Sequence, residues 1–388
     1  MIIRDRRRPG LPAELVGRVV AIWLGVTLLQ VFATAVVGWI SPVTALHPWG
    51  LTALVSALTL GCVMLLVGRI AFRVFDEEIA GLACLACAVA VPLMMALRPV
   101  ALDHHGLQAM CLLIALNGLM AREARLGGWA TGAALACWLA LSLDGMVLAL
   151  GFAAITAIKW LRNRVDRWWL VHTLHALTAV TAAILTVKWA AGMPPACGAL
   201  GTAHLAGFAW MAGILNVVAL FEPHPRGFTV GGMMTAAGGA ALLLYTYTPG
   251  CTVAPALGLT GAEPLWRGGA IFAMQALGLL LMALVAALRL IAPAGDWLRR
   301  WWTDYAILML IAGIVTAFDA RAAAAASALA AVPIGWQMRE WIRSARNSRR
   351  TGRRALALTA VVLAFATTAP LILGLLAAPT YAAELALR

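Results

Sequence analysis

Carboxylates are scarce in this chain. Sixteen Asp and Glu stand against 29 Lys and Arg, and charged residues make up only 12% of the 388 positions. So little charge excludes an ordinary water-soluble domain, in which about a quarter of residues are charged. Long runs of apolar/polar alternation are also missing, which excludes a transmembrane barrel. The basic start, Met1 to Gly10, is not followed by a short apolar core with a small-residue cleavage site, so it reads as a cytoplasmic lead-in and no cleavable signal peptide. Cys84 and Cys87 lie within one apolar run, and with no His-x-x-x-His helix face in the chain a closed zinc site is not indicated.

What is present is apolar sequence in long runs. Hydrophobic residues make up 63% of the chain, mean hydropathy is +0.90, and many runs exceed the ~18 residues that suggest a bilayer span. In lipid the backbone must satisfy its own hydrogen bonds, so the runs are helices. The sequence therefore predicts an all-α, polytopic transmembrane bundle of about 13 spans, forming a single domain over 1–388. Expected spans fall at about 19–40, 49–68, 79–97, 106–121, 128–143, 146–158, 168–190, 204–221, 228–247, 268–290, 305–318, 322–338 and 355–378. Residues 1–18 form the basic lead-in, 248–267 is a long outer loop, and no soluble domain is expected at the C-terminus.

This topology leaves only Arg98, Lys188, Arg267, Arg321 and Arg388 of the 29 basic residues on the outer side. Such a bias is the positive-inside pattern of a multi-pass protein with a cytoplasmic N-terminus; in a bacterial inner membrane, the setting that the resemblance described below implies, the outer face is periplasmic. The net charge of +13 thus reflects loops facing anionic lipid, and no nucleic-acid role is expected. The acidic run Asp76-Glu77-Glu78 reads as a cytoplasmic turn pairing with the nearby Arg69 and Arg73. Trp168-Trp169, Trp297 and Trp301-Trp302 read as interfacial belts. Cys197 and Cys251 fall in outer loops that permit a disulfide, while Cys62, Cys84, Cys87, Cys111 and Cys137 lie in spans as packing residues.

The same topology collects Asp103, Asp144, Glu263 and Asp319 on or just inside the outer face, beside Arg98, Arg267 and Arg321. The densest cluster is Arg98-Pro99-Val100-Ala101-Leu102-Asp103-His104-His105-Gly106-Leu107-Gln108. Ionisable groups are costly in a membrane and tend to mark function. Pro99 biases Arg98 toward an extended conformation, and a helix starts near Gly106. Asp103 and His105 can then ligate a divalent metal, His104 and Gln108 share a helix face, and Arg98 with the helix start favours an anion such as phosphate. Equally, Asp103 can cap the helix while the imidazoles and Gln108 sit at the lipid headgroups. Asp144-Gly145 reads either as a tight turn or as a carboxylate seeking a partner, Glu263 stands on the long loop, and Asp319 and Arg321 either pair or leave Arg321 for a phosphate.

Arg98-Pro99 followed by Asp103-His104-His105-Gly106-Leu107-Gln108, outside the third of many spans, resembles bacterial GT-C glycosyltransferases related to the catalytic subunit of oligosaccharyltransferase. The resemblance covers about 50–335 loosely. It implies a GT-C-like helical fold, a polyprenyl-phosphate or diphosphate sugar donor, an extracytoplasmic acceptor (glycan, lipid or protein), and a divalent metal near the donor phosphates. By resemblance Asp103 and His105 take the place of an acidic metal-binding pair, Arg98 of an arginine beside it, Arg321 of a late phosphate-binding arginine, and Glu263 and Asp144 of further acids of the site. His104 and Gln108 then become substrate-binding neighbours. A histidine ligand favours Mn2+ slightly over Mg2+, which prefers oxygen shells. One departure is plain: the first outer loop, Ser41 to Pro48, carries no acid where the family supplies one. A transporter or flippase using Asp103 and Asp144 as coupling groups, and a non-catalytic subunit of glycan assembly, are the competing readings.

Overall fold

A computed structural model describes residues 12–40, 49–98, 104–192, 198–247 and 262–348, with a few positions between 351 and 359. No strand occurs among the described residues. The helices in chain order are α1 (Ala13–Ile40), α2 (Trp49–Val74), α3 (Glu77–Ala88), α4 (Val91–Ala96), α5 (His104–Leu119), α6 (Ala124–Leu141) and α7 (Met146–Arg162). They continue with α8 (Arg167–Ala190), α9 (Thr202–Leu220), α10 (Arg226–Tyr247), α11 (Ala270–Ile291), α12 (Asp296–Phe318) and α13 (Ala323–Asn347). Twelve of the thirteen expected spans fall on these helices, and the last, 355–378, lies outside the described residues. Seven helices are long and apolar enough to cross a bilayer, so the chain is a multi-pass helical membrane protein.

The third expected span is two helices. α3 ends at Ala88, and α4 restarts with Pro92 in its first turn, where the missing N–H costs no helical bond. Breaks of this kind are tolerated at membrane depth where the segment is buried in protein, and both pieces are largely buried.

The chain divides into two compact units. The first comprises the described parts of Met1–Met110 and Pro264–Arg388, and the second is Cys111–Glu263. In the first unit α13 is the central helix, with the whole stretch from Ala323 to Gly335 buried. Alanine runs let neighbours approach closely: a Cβ on Gly335 would lie 2.6 Å from Ala83 N. Asp76 pairs with Arg339, and Ala83 lies against Gly335, so α3 and α4 run antiparallel to α13. α2 runs back along α3, with Cys84 Sγ donating to Met64 O at 3.2 Å. Trp302 packs on Phe75 at 5.7 Å, and the Tyr305 hydroxyl donates to Leu329 O at 2.5 Å.

These contacts correct two expectations. Asp76 does not pair with the local arginines alone: it meets Arg339, 263 residues away, because that guanidinium is 2% exposed and must be matched where it is buried. Trp301 and Trp302 are core residues at 4% and 0% exposure, stacked among Phe75 and Tyr305, and Trp169 is buried too. Trp297 is half exposed, as a belt residue should be. Of the described cysteines, Cys84, Cys87 and Cys111 are buried and Cys62 and Cys137 exposed, with no disulfide among them. Cys197 and Cys251 lie outside the described residues.

In the second unit α6 and α8 meet along Gly127, Gly128 and Gly132. A Cβ on Gly128 would lie 2.7 Å from His172 Cβ, and side chains at the other two would run into Trp169 and the Thr173 carbonyl. Small residues at this spacing let two membrane helices touch backbone to backbone. α9 and α10 pair similarly, with Trp210 Nε1 donating to Thr235 O at 3.3 Å. At one end of the unit, Arg164 and His224 both contact Glu222, each at 3.2 Å, tying the turn before α8 to the turn before α10.

Candidate functional site

The antiparallel register in the first unit decides where its polar residues gather. Asp76 and Arg339 mark one end. Following α3 and α4 the other way along α13 brings Arg98 to the end where the turn Ala320–Ala322 opens α13. Ser56, from the first half of α2, donates through Oγ to the Arg98 carbonyl at 3.2 Å. The turn Leu265–Gly268 belongs to this end as well, since Leu265 and Ala276 share a small core with Ala323, and Trp266 meets Phe318 edge-on at 6.0 Å. Arg98, His104, His105, Gln108, Asp319 and Arg321 therefore share one end of this unit.

Within that end α5 folds back on the chain before it. Gly106 sits against the Leu97 side chain, which a Cβ there would displace, so the first turn of α5 is pressed to the end of α4. His104 and His105 stack at 4.2 Å. His105 Nδ1 lies 3.0 Å from Gln108 Oε1. An amide oxygen only accepts, so Nδ1 is the donor in this contact, which fixes the direction of the ring. Gln108 is 5% exposed, and its Nε2 has no acceptor among the described residues. Gln108, expected as a substrate contact, thus also meets His105.

Asp319 and Arg321 do pair, and closely. The carboxylate accepts from Arg321 Nε at 2.8 and 3.1 Å and from Nη2 at 2.9 Å, and its Oδ1 also accepts the Arg321 backbone N–H at 3.1 Å. The arginine side chain nevertheless stays 27% exposed. A carboxylate two residues away thus fixes the plane of the guanidinium and leaves part of it facing outward, an arrangement suited to meeting a phosphate.

Asp103 lies outside the described residues, as do the first outer loop and residues 248–261. Asp144 and Glu263 belong to the second unit. Asp144 is in the 3-10 turn Leu143–Gly145, whose start Ser142 caps by accepting from the Asp144 N–H at 3.3 Å. Gly145 leaves no room for a side chain beside Trp138, so the glycine is required by packing, which the turn reading did not foresee. Glu263 is exposed, one residue ahead of Pro264. No group of three or more potential metal ligands occurs among the described residues. The described part of the expected ligand set is His105. Ser56 is the one member of this end that sequence reasoning missed: a serine in an apolar span gives no sign of the distant carbonyl it holds.

The fold is shared with solved structures. An oligosaccharyltransferase of Archaeoglobus fulgidus in its apo form superposes with a TM-score of 0.54 at 17% identity, over 82% of this chain and 44% of that one. The archaeal oligosaccharyltransferase AglB of the same organism, in complex with an inhibitory peptide and a dolichol-phosphate, superposes with a TM-score of 0.50 at 16% identity, over 88% of this chain and 47% of that one. The chain thus spans less than half the length of either neighbour. No protein-family model and no curated protein matches it. The similarity supports an oligosaccharyltransferase-like, GT-C-type helical fold, and it is to archaeal proteins, where the sequence pointed to a bacterial family.

Proposed function

We propose that this protein is a GT-C-type membrane glycosyltransferase, moving a sugar or glycan from a polyprenyl-phosphate or diphosphate carrier to an extracytoplasmic acceptor. The observation that carries the reading is a fold shared with an oligosaccharyltransferase over more than four fifths of this chain. The cluster of Arg98, the oriented His105 and the chelated Arg321 at one end of the first unit agrees with it. Transfer from such a donor leaves negative charge on the departing phosphate, so fixed cations aimed at that oxygen are the largest help a protein can give. Arg321, held in plane by Asp319, and Arg98, whose backbone is held by Ser56, take that role.

His105, with Nδ1 committed to Gln108, would offer Nε2 to Mn2+ or Mg2+ together with Asp103. When bound, the ion would offset donor charge. His104 and Gln108 would line the donor, and Glu263 or Asp144, on the resemblance alone, would deprotonate the acceptor.

The test is donor binding by protein purified in nanodiscs, using a polyprenyl-phosphate-linked sugar with Mn2+ and then with EDTA. Wild type should bind in a metal-dependent way. Asp103→Ala and His105→Ala should each weaken binding about tenfold or more while size-exclusion profiles stay unchanged. Binding indifferent to metal and to both substitutions would overturn the metal site. No donor binding at all would overturn the glycosyltransferase reading and bring transport forward.

A further inference from the structure

A cavity of about 540 Å³ opens in the second unit, between the outer flanks of α6 and α8. Its lining is Arg125 and Trp129 from α6 and Trp168, His172 and His175 from α8. The volume is in the range of sites that hold small molecules or lipid headgroups, about 300–1,000 Å³. The residues fall at helical spacing, so each helix contributes one stripe. Gly127, Gly128 and Gly132 explain why a cavity exists here. They draw the two backbones together, and the larger side chains beside the seam stand apart as the walls of a groove.

The chemistry of the lining is one-sided. Arg125 and His175 both lie within electrostatic reach of His172, and no carboxylate is among the lining residues. Trp168 stacks on His172 at 5.8 Å, and Arg167 stands over the other ring system of that stack at 5.3 Å from the Trp168 centroid. Lys159 covers Trp169 at 5.1 Å, and Arg122 and Arg162 stand at the same end of the unit. Trp129 is 41% exposed at the groove's mouth. The lining lies within the first three turns of each helix, the depth at which a bilayer places its phosphates, with tryptophan at the boundary. Asp144 stands beyond the far end of α6, so this groove is separate from the carboxylates of the proposed acceptor chemistry.

We propose that this groove is a binding site for the phosphate headgroup of an anionic phospholipid, with Arg125, His172 and His175 donating to phosphate oxygens and Trp129 and Trp168 packing against the glycerol and upper acyl chains. A pocket of one arginine and two imidazole donors flanked by indoles, open to the side of a membrane helix pair, suits a ligand with an anionic head and an apolar body.

Native mass spectrometry of the full chain, released from nanodiscs of phosphatidylglycerol mixed with phosphatidylcholine, tests this. Wild type should retain phosphatidylglycerol preferentially. Arg125→Gln alone should reduce that retention about fivefold, and Arg125→Gln/His172→Gln/His175→Gln should abolish the preference. The single variant changes an exposed side chain, so it keeps the test informative if the triple variant folds poorly. Equal retention of the two lipids, or retention unchanged in Arg125→Gln, would overturn the proposal. Displacement of the lipid by millimolar inorganic phosphate would also overturn it, making the site one for a soluble anion.

Discussion

Two arginines at opposite ends of the same unit carry charge in opposite ways. Arg339 is 2% exposed, and its main carboxylate, Asp76, comes from 263 residues away, with Glu78 at 3.8 Å. Arg321 is 27% exposed at the side chain and is held by Asp319, two residues before it. A buried charge matched across the chain ties two helices together, and losing its partner strands it in a low-dielectric interior. A chelated, partly exposed charge is held by a near neighbour in the chain. It costs the fold little and keeps a defined direction, which is what a binding group needs. One end of the unit thus joins distant helices, and the other holds a partly exposed cation in a fixed direction.

The largest effect should come from the first end. Asp76→Ala removes both the match to Arg339 and the α3 cap, in which Oδ1 accepts from the Ile79 N–H at 3.1 Å. It should destabilise the protein by about 3–5 kcal/mol, measured as a loss of folded monomer and a lower thermal midpoint in detergent. Asp76→Asn keeps a capping oxygen and should reveal the charge component by itself, since Asn caps as well as Asp. A midpoint unchanged in both variants would show that Arg339 is matched without Asp76, and the contrast between the two ends would lose its basis.

A pair of glycines sharpens the same contrast. In α13 a Cβ on Gly335 would meet Ala83 N at 2.6 Å and Ala83 Cα at 2.8 Å, and backbone cannot yield without moving α3. Gly335→Ala should cost about 1–3 kcal/mol, as overpacking does. At the other end Gly106 is crowded by the tip of the Leu97 side chain, which can change rotamer for about 0.5–1.5 kcal/mol, while alanine gains about 1 kcal/mol in helix propensity. Gly106→Ala should therefore lie within about 1 kcal/mol of wild type. Thermal midpoints of both variants side by side decide it, and a larger loss for Gly106→Ala would reverse the ranking of the two ends.

What could be read from sequence follows the range of the interactions. Apolar runs of span length placed twelve helices, because a helix in lipid is specified by its own residues. The Asp319–Arg321 pair was readable for the same reason, with both partners inside one turn. The break at Pro92 was missed, since an apolar run hides a restart whose only mark is one proline. Arg339 falls just past the expected span 322–338, and Asp76 was assigned to neighbouring arginines, because nothing local announces a partner on a distant helix. The tryptophans near Trp301 failed likewise: amphipathic composition suits an interface and a core equally, and only packing separates them. Gln108 was set on a shared helix face with His104, and its contact with His105 depends on a side-chain geometry that spacing does not supply. The groove between α6 and α8 combined a visible signal, the glycines, with one that no local pattern gives, the facing stripe of another helix.

The smallest expected change in stability belongs to Asp319→Asn. Asparagine can still accept the Arg321 backbone N–H, so the turn Ala320–Ala322 keeps its cap, while the bidentate charge pairing is lost. Partly exposed pairs contribute about 0–1 kcal/mol, and the thermal midpoint should barely move. Donor binding should respond more. A guanidinium no longer held in plane must be ordered by the ligand itself, and affinity for a polyprenyl-phosphate-linked sugar should fall several-fold, with Arg321→Lys falling further because an ammonium cannot present two parallel donors. Binding isotherms in nanodiscs, read beside thermal midpoints, separate the two effects. Should Asp319→Asn unfold the protein as readily as Asp76→Ala, then Arg321 is a clamp like Arg339, and the end that carries Arg98 and His105 is as structural as the end opposite.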